Sequence, residues 1–282
     1  MNFLVLAKKG KRAGQLLLLA SATLFCLLSD PGWVWAATMQ WNGGTSSDWS
    51  TGSNWDWIGQ TPGPSDTASV GAPAPGGSAP VIGAGGGDVD LLVVGGGSTG
   101  TLSVQGTLST ANAWLGNDQA NQTAVGTVTV SGAAGNWIDS GELYVGLWSG
   151  GVLNIESGAQ ASADMVNIGA QSGSSGLIAL SGGSGLSVTS SLHVGYGSTG
   201  SLTIDGASTV SAARAYIGTG AAGDGTVTLS GSNSSLTTTE VLYLGLGGAG
   251  ELNIGSGARV TSVGAVLGND AGGVGTATID GG

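Results

Sequence analysis

Cysteine is almost missing from this chain of 282 residues. The one copy, Cys26, lies in the N-terminal leader, so no disulfide can staple the part that follows. Charge is scarce at 8 % of residues, and there is one histidine and two phenylalanines. Residues 81–282 contain no proline. Without a cysteine and with His193 alone, a zinc site and a Ser-His or Cys-His nucleophile lack their parts. Basic residues run out as well. Four of the six lie in the leader, and beyond residue 36 only Arg214 and Arg259 remain against sixteen acids, a net charge of −14. Such a surface repels nucleic acid and anionic lipid, which are held through Lys and Arg.

The leader has the layout of an export signal. Lys8, Lys9, Lys11 and Arg12 precede an apolar run from Leu16 to Leu28, and Val34-Trp35-Ala36 offers small residues where a signal peptidase reads. Cleavage after Ala36 is expected. The apolar run is shorter than the roughly 20 residues of a membrane-spanning helix.

Low charge with 57 glycines would fit a disordered chain, but mean hydropathy is +0.27 and the apolar residues are regularly placed. Eight alternating segments recur every 24 to 26 residues: TLSV (101–104), TVTV (127–130), VLNI (152–155), LIAL (177–180), SLTI (201–204), TVTL (226–229), ELNI (251–254) and TATI (276–279). Their second and fourth residues are mostly branched aliphatics, which is the period of a strand with one buried face. A second short strand precedes each and ends on a glycine, at Gly95, Gly116, Gly146, Gly169, Gly195, Gly218, Gly245 and Gly268. Self-similarity at this period predicts a solenoid in which each repeat buries its apolar face on the next. The expected fold is all-β: a right-handed parallel β-helix of about eight 25-residue coils over 81–282. Ahead of it, residues 37–80 hold Trp41, Trp49, Trp55, Trp57 and all five prolines beyond the leader, and read as a cap or entry segment.

The units SGELYVGLWSGGVLNIESGAQ (140–160), SSLHVGYGSTGSLTIDGASTV (190–210) and TEVLYLGLGGAGELNIGSGARV (239–260) resemble the repeat of type V secretion (autotransporter) passengers and PEP-CTERM-sorted exported proteins. The entry WNGGTSSDWSTGSNWD (41–56) resembles the first coil of many such passengers. The resemblance covers 37–282 and implies a passenger exposed outside a Gram-negative cell, at its surface or outer membrane, with scaffold rather than catalysis in common. It also implies an outer-membrane barrel or a sorting tail. The sequence stops mid-coil at Asp280-Gly281-Gly282 without either, so the chain is expected to be the N-terminal fragment of a longer protein, truncated at the C-terminal end of the β-helix.

Candidate sites are few. His193 matches Tyr144 and Tyr243 in neighbouring units and is expected as an exposed strand residue. Glu156, Asp205 and Asp280 follow the strand in corresponding coils, but coils two or three apart lie about 10–15 Å from one another, too far for most paired-acid chemistry. Gly-Asn-Asp at 116–118 and 268–270 resembles part of a calcium nonapeptide repeat, yet it is isolated and reads as a turn. Trp114, Trp137 and Trp148 read as surface residues and cluster in one 50-residue unit, either to stack on sugars or to fill a wider local cross-section or dock an extra loop. No catalytic residue, metal or cofactor is expected. The leading expectation is a cell-surface structural or adhesin-like passenger whose partners are extracellular glycans or a host or neighbour cell surface. A carbohydrate- or matrix-binding protein is the alternative, and a polysaccharide-degrading β-helix enzyme a more distant one.

Overall fold

A computed structural model describes residues 36–57 and 59–280. The expected leader cleavage site therefore lies at the edge of what is described, and the n-region and apolar run lie outside it. The described chain is all-β, with one three-residue 3-10 turn at Gly52–Asn54. No helix among the described residues is long and apolar enough to cross a membrane.

All strand pairs are parallel, and they form two sheets of nine and thirteen strands. The eight alternating segments seen in the sequence all lie on the nine-stranded sheet, from Gly100–Val104 to Val274–Ile279, and Val81–Ile82 adds the ninth strand. The glycine-ending segments lie on the larger sheet. There the strand of a coil is either long, as in Gln160–Ile168, or broken in two, as in Asn136–Asp139 and Glu142–Val145. The chain thus alternates between the sheets and climbs one strand spacing per turn, which makes a β-solenoid.

The solenoid has about ten turns rather than the eight the repeat announced. Thr38–Gln40 pairs with Thr67–Val70, which pairs with Gly87–Val94, so the first turns already lie in the segment set apart as an entry. Their strands are short and separated by Pro- and Trp-bearing loops, so the 25-residue spacing fails there although the stacking does not.

Stacking is in register. On the nine-stranded sheet one column runs Leu102, Val128, Leu153, Ile178, Leu202, Val227, Leu252. On the larger sheet another runs Val70, Val94, Leu115, Val145, Ile168, Val194, Ile217, Leu244. Every residue named in these two columns is at most 3 % exposed. Each such side chain contributes about 1.5–3 kcal/mol on burial, which lets a chain without disulfides hold together.

The corner after the larger sheet is backbone packed on backbone. Gly195 has φ +70°, and a Cβ on it would lie 2.4 Å from the Asp224 carbonyl carbon in the next coil. A Cβ on Gly225 would lie 2.0 Å from the Val194 carbonyl oxygen. Glycine is required at the first by conformation and at both by space.

Among the described residues most polar side-chain atoms taken inside are paired, His193 Nδ1 and Thr219 Oγ1 being the exceptions. Asn54, fully buried, accepts from the Thr45 and Ser46 N–H groups at 3.0 and 2.9 Å, and donates to Ser46 Oγ at 2.9 Å and the Asp48 carbonyl at 3.0 Å. It fixes the loop that carries Trp49. Trp41, Trp49 and Trp55 pack together, with Trp49 and Trp55 edge to face at 4.7 Å and 83°. All three belong to the same continuous apolar core as the columns above.

Candidate functional site

The outward column beside the glycine corner is the most distinctive surface feature of the larger sheet. Two residues before each corner glycine the chain places Val93, Trp114, Tyr144, Asn167, His193, Tyr216, Tyr243 and Val266, and adjacent members are direct register partners. Strand alternation turns this position away from the core, while parallel in-register stacking sets like against like one strand apart. Ring planes therefore face one another. His193 stacks on Tyr216 at 4.7 Å and 10°, and Tyr216 on Tyr243 at 5.0 Å and 8°. Tyr196, from beyond the corner, closes on His193 edge to face at 5.0 Å and 81°.

His193 is thus at the matching position of the tyrosines, as expected, but it is not exposed. Tyr196 and Tyr216 cover it, its Nδ1 is buried without a hydrogen-bond partner, and burial pushes its pKa down to about 4. It is a neutral aromatic packing residue near pH 7. One coil below, Asn167 is buried, and beneath it Tyr144 donates to Glu142 Oε2 at 2.6 Å. Burial, then the Glu142 carboxylate, raises the Tyr144 phenol to about 12. In the three-ring stack the ring faces are spent on one another, leaving edges and hydroxyls outward. The column stiffens the rod and offers no open face for a sugar in that stretch.

The structure separates the three tryptophans singled out in the sequence. Trp137 is 1 % exposed and lies in an inward column, between Leu108 and Ala161. This corrects its reading as a surface residue: strand alternation points it inward, and the small Ala161 beside it makes room for the indole. Its Nε1 donates to Thr110 Oγ1 at 3.0 Å, and that hydroxyl donates to Asp139 Oδ2 at 2.6 Å. Asp139 is 3 % exposed, and burial raises its pKa. Trp114 and Trp148 are half-buried on the outside, the first as register partner of Tyr144 and the second just past the Gly146 corner.

The carboxylates are dispersed as their spacing implied. Glu156 and Asp205 follow strands two coils apart, and Asp280 follows one three coils further on. Asp205 accepts from Ser230 Oγ at 3.0 Å. Asp118 is a turn former: its carboxylate accepts from the N–H groups of Asn121, Thr123 and Ala124 at 3.2–3.3 Å, and the Asn121 bond leads in lowering its pKa. Among the described residues no three His, Cys, Asp or Glu side chains converge as a metal site would need. The ion pair of Arg214 and Glu240 beside Tyr216 is about half exposed, so it contributes little.

Sequence reasoning identified the Tyr144, His193 and Tyr243 positions but not Tyr196, which follows the glycine and returns across the corner. No known family, curated protein or solved structure matches the chain.

Proposed function

We propose that this chain is an exported, non-catalytic scaffold: a right-handed β-helical rod held at the surface of a Gram-negative cell in the manner of an adhesin or display passenger. The observation that supports it best is the unbroken set of register columns over about ten turns, which makes a stiff, extended body with its residues spent on stacking. Right-handed winding is the rule for parallel strands joined by crossovers. In this reading the Trp- and Pro-rich start of the mature chain closes one end of the rod, with Trp41, Trp49 and Trp55 covering what would be an open core. Export is supported by the leader, by the lack of cysteine after it and by the net charge of −14 beyond residue 36.

The test is expression of the full chain in a Gram-negative host, followed by fractionation and intact-mass measurement. A product beginning at Ala37 and found outside the cytoplasm is expected. An uncleaved chain that stays in the cytoplasm would overturn the reading.

A further inference from the structure

The four tyrosines of the chain, Tyr144, Tyr196, Tyr216 and Tyr243, all lie in or against the outward column beside the glycine corner. Among the described residues only two of them meet face to face. Tyr216 and Tyr243 are register partners on adjacent coils, half-buried, with ring centroids 5.0 Å apart and planes within 8°. Their strand neighbours pin them there. Ala215 and Ile217 on one coil, and Leu242 and Leu244 on the next, point inward and are at most 2 % exposed. A slip of one residue would turn a coil's inward pair out of the core, so the facing of the two rings is fixed by register.

We infer that Tyr216 and Tyr243 form a site of oxidative cross-linking, joined by a ring-carbon to ring-carbon bond that stitches one coil to the next. Two phenols couple when both have lost an electron while close together. A partner held 5.0 Å away in the same chain has a far higher effective concentration than any partner in solution. Equivalent carbons of two parallel, in-register rings lie about one strand spacing apart, and the hydroxyl edges face outward, where an oxidant reaches them. The other two tyrosines are placed differently. Tyr144 has Trp114 and Asn167 as register partners and is hydrogen-bonded to Glu142, and Tyr196 meets His193 edge to face. No cysteine follows the leader, so this pair supplies the covalent tie between coils that a disulfide would otherwise give. The inference rests on the coil geometry and not on the surface-scaffold reading, so either can fail alone.

The oxidant required is hydrogen peroxide acting through a haem peroxidase. It removes one electron from each phenol, and each O–H proton passes to water. The two phenoxyl radicals carry spin on the ring carbons next to the C–O carbon, and a C–C bond forms between one such carbon of each ring. Each joined carbon then gives up its hydrogen as a proton while each oxygen takes one back, which restores both phenols. The O–O bond of the peroxide breaks as it accepts the two electrons, and with two protons it becomes two molecules of water. The protein loses two hydrogen atoms in all.

The test treats the purified full chain with a haem peroxidase and limiting hydrogen peroxide. Dityrosine fluorescence should appear in a product that stays monomeric on a denaturing gel and is lighter by two hydrogen atoms. Cleavage after glutamate separates the two residues, because Glu240 lies between them, so mass spectrometry should find fragments 157–240 and 241–251 joined. Tyr216→Phe and Tyr243→Phe keep the ring stack and should each abolish the cross-link, while Tyr144→Phe should leave its yield unchanged. Circular dichroism shows that each variant is folded. In urea the preference for this pair should vanish, since the unfolded chain no longer holds the rings together. The inference is overturned if the folded chain yields no dityrosine, if the bond joins separate chains or involves Tyr144 or Tyr196 instead, or if the same pair is chosen in urea.

Discussion

The sole histidine gives the sharpest handle on how the outer ring column is built. His193 is covered by Tyr196 and Tyr216, and burial lowers its pKa from the ordinary 6.5 to about 4. A base with a depressed pKa stays neutral in the folded chain while the unfolded chain takes up a proton. Its contribution is intact above pH 6.5 and is lost as the pH falls toward 4. Each unit of difference is about 1.36 kcal/mol. With the ring edge still meeting some solvent, the acid-induced loss due to this residue is about 2–3 kcal/mol. Because no other histidine exists, its ring carbon and proton signals can be followed by NMR in the full chain without assignment. They should titrate near 4. The variant His193→Tyr repeats the residue one coil above, keeps the stack and carries no charge between pH 4 and 8. Urea unfolding at pH 7.5 and 4.0 should therefore show a smaller acid-induced loss for the variant, by the same 2–3 kcal/mol. A histidine that titrates near 6.5, or identical pH dependence in the two proteins, would refute the packing argument.

Three further outcomes follow from the columns and the corner. Leu153→Ala removes a fully buried side chain between Val128 and Ile178 and should cost about 2–5 kcal/mol in urea unfolding, while the outward Asn154→Ala should stay within about 0.5 kcal/mol. Gly225→Ala forces a methyl toward the Val194 carbonyl and should abolish or severely reduce soluble folded protein, as judged by circular dichroism. Gly83→Ala, with open space around it, should be tolerated. For Asp139 the sign is opposite to that of His193. A raised acid keeps its proton in the folded chain, so its stabilising share is lost as the pH climbs from the ordinary 3.8 through the raised value. Asp139→Asn should gain on the native protein in melting temperature between pH 4 and pH 7, and parallel profiles would contradict this.

Much of this architecture was legible because a solenoid writes its geometry as a period. The eight alternating segments and the corner glycines after each second strand mark the two sheets directly, since inward residues must alternate and the corner tolerates no Cβ. The first turns escaped because Thr38–Gln40 and Thr67–Val70 are separated by a long loop whose length hides the period. Trp137 was misplaced for a related reason. Its segment lies past the S-G insertion, where the alternation restarts, and only the pairing with Leu108 and Ala161 shows which way it points. His193 was matched to the correct tyrosines, but its burial comes from Tyr196, across a corner whose path the sequence does not spell out.

Pulsed electron spin resonance on nitroxide pairs tests the stacked winding most directly. In a Cys26→Ser background, labels at Ser103 and Thr203 sit on one outward column four coils apart, and labels at Ser103 and Asn253 six coils apart. At about 4.8 Å per coil the backbone separations are about 19 Å and about 29 Å. Measured distances should lengthen by that increment as the second label moves up the column. Separations that fail to grow with coil number would contradict a parallel, in-register rod.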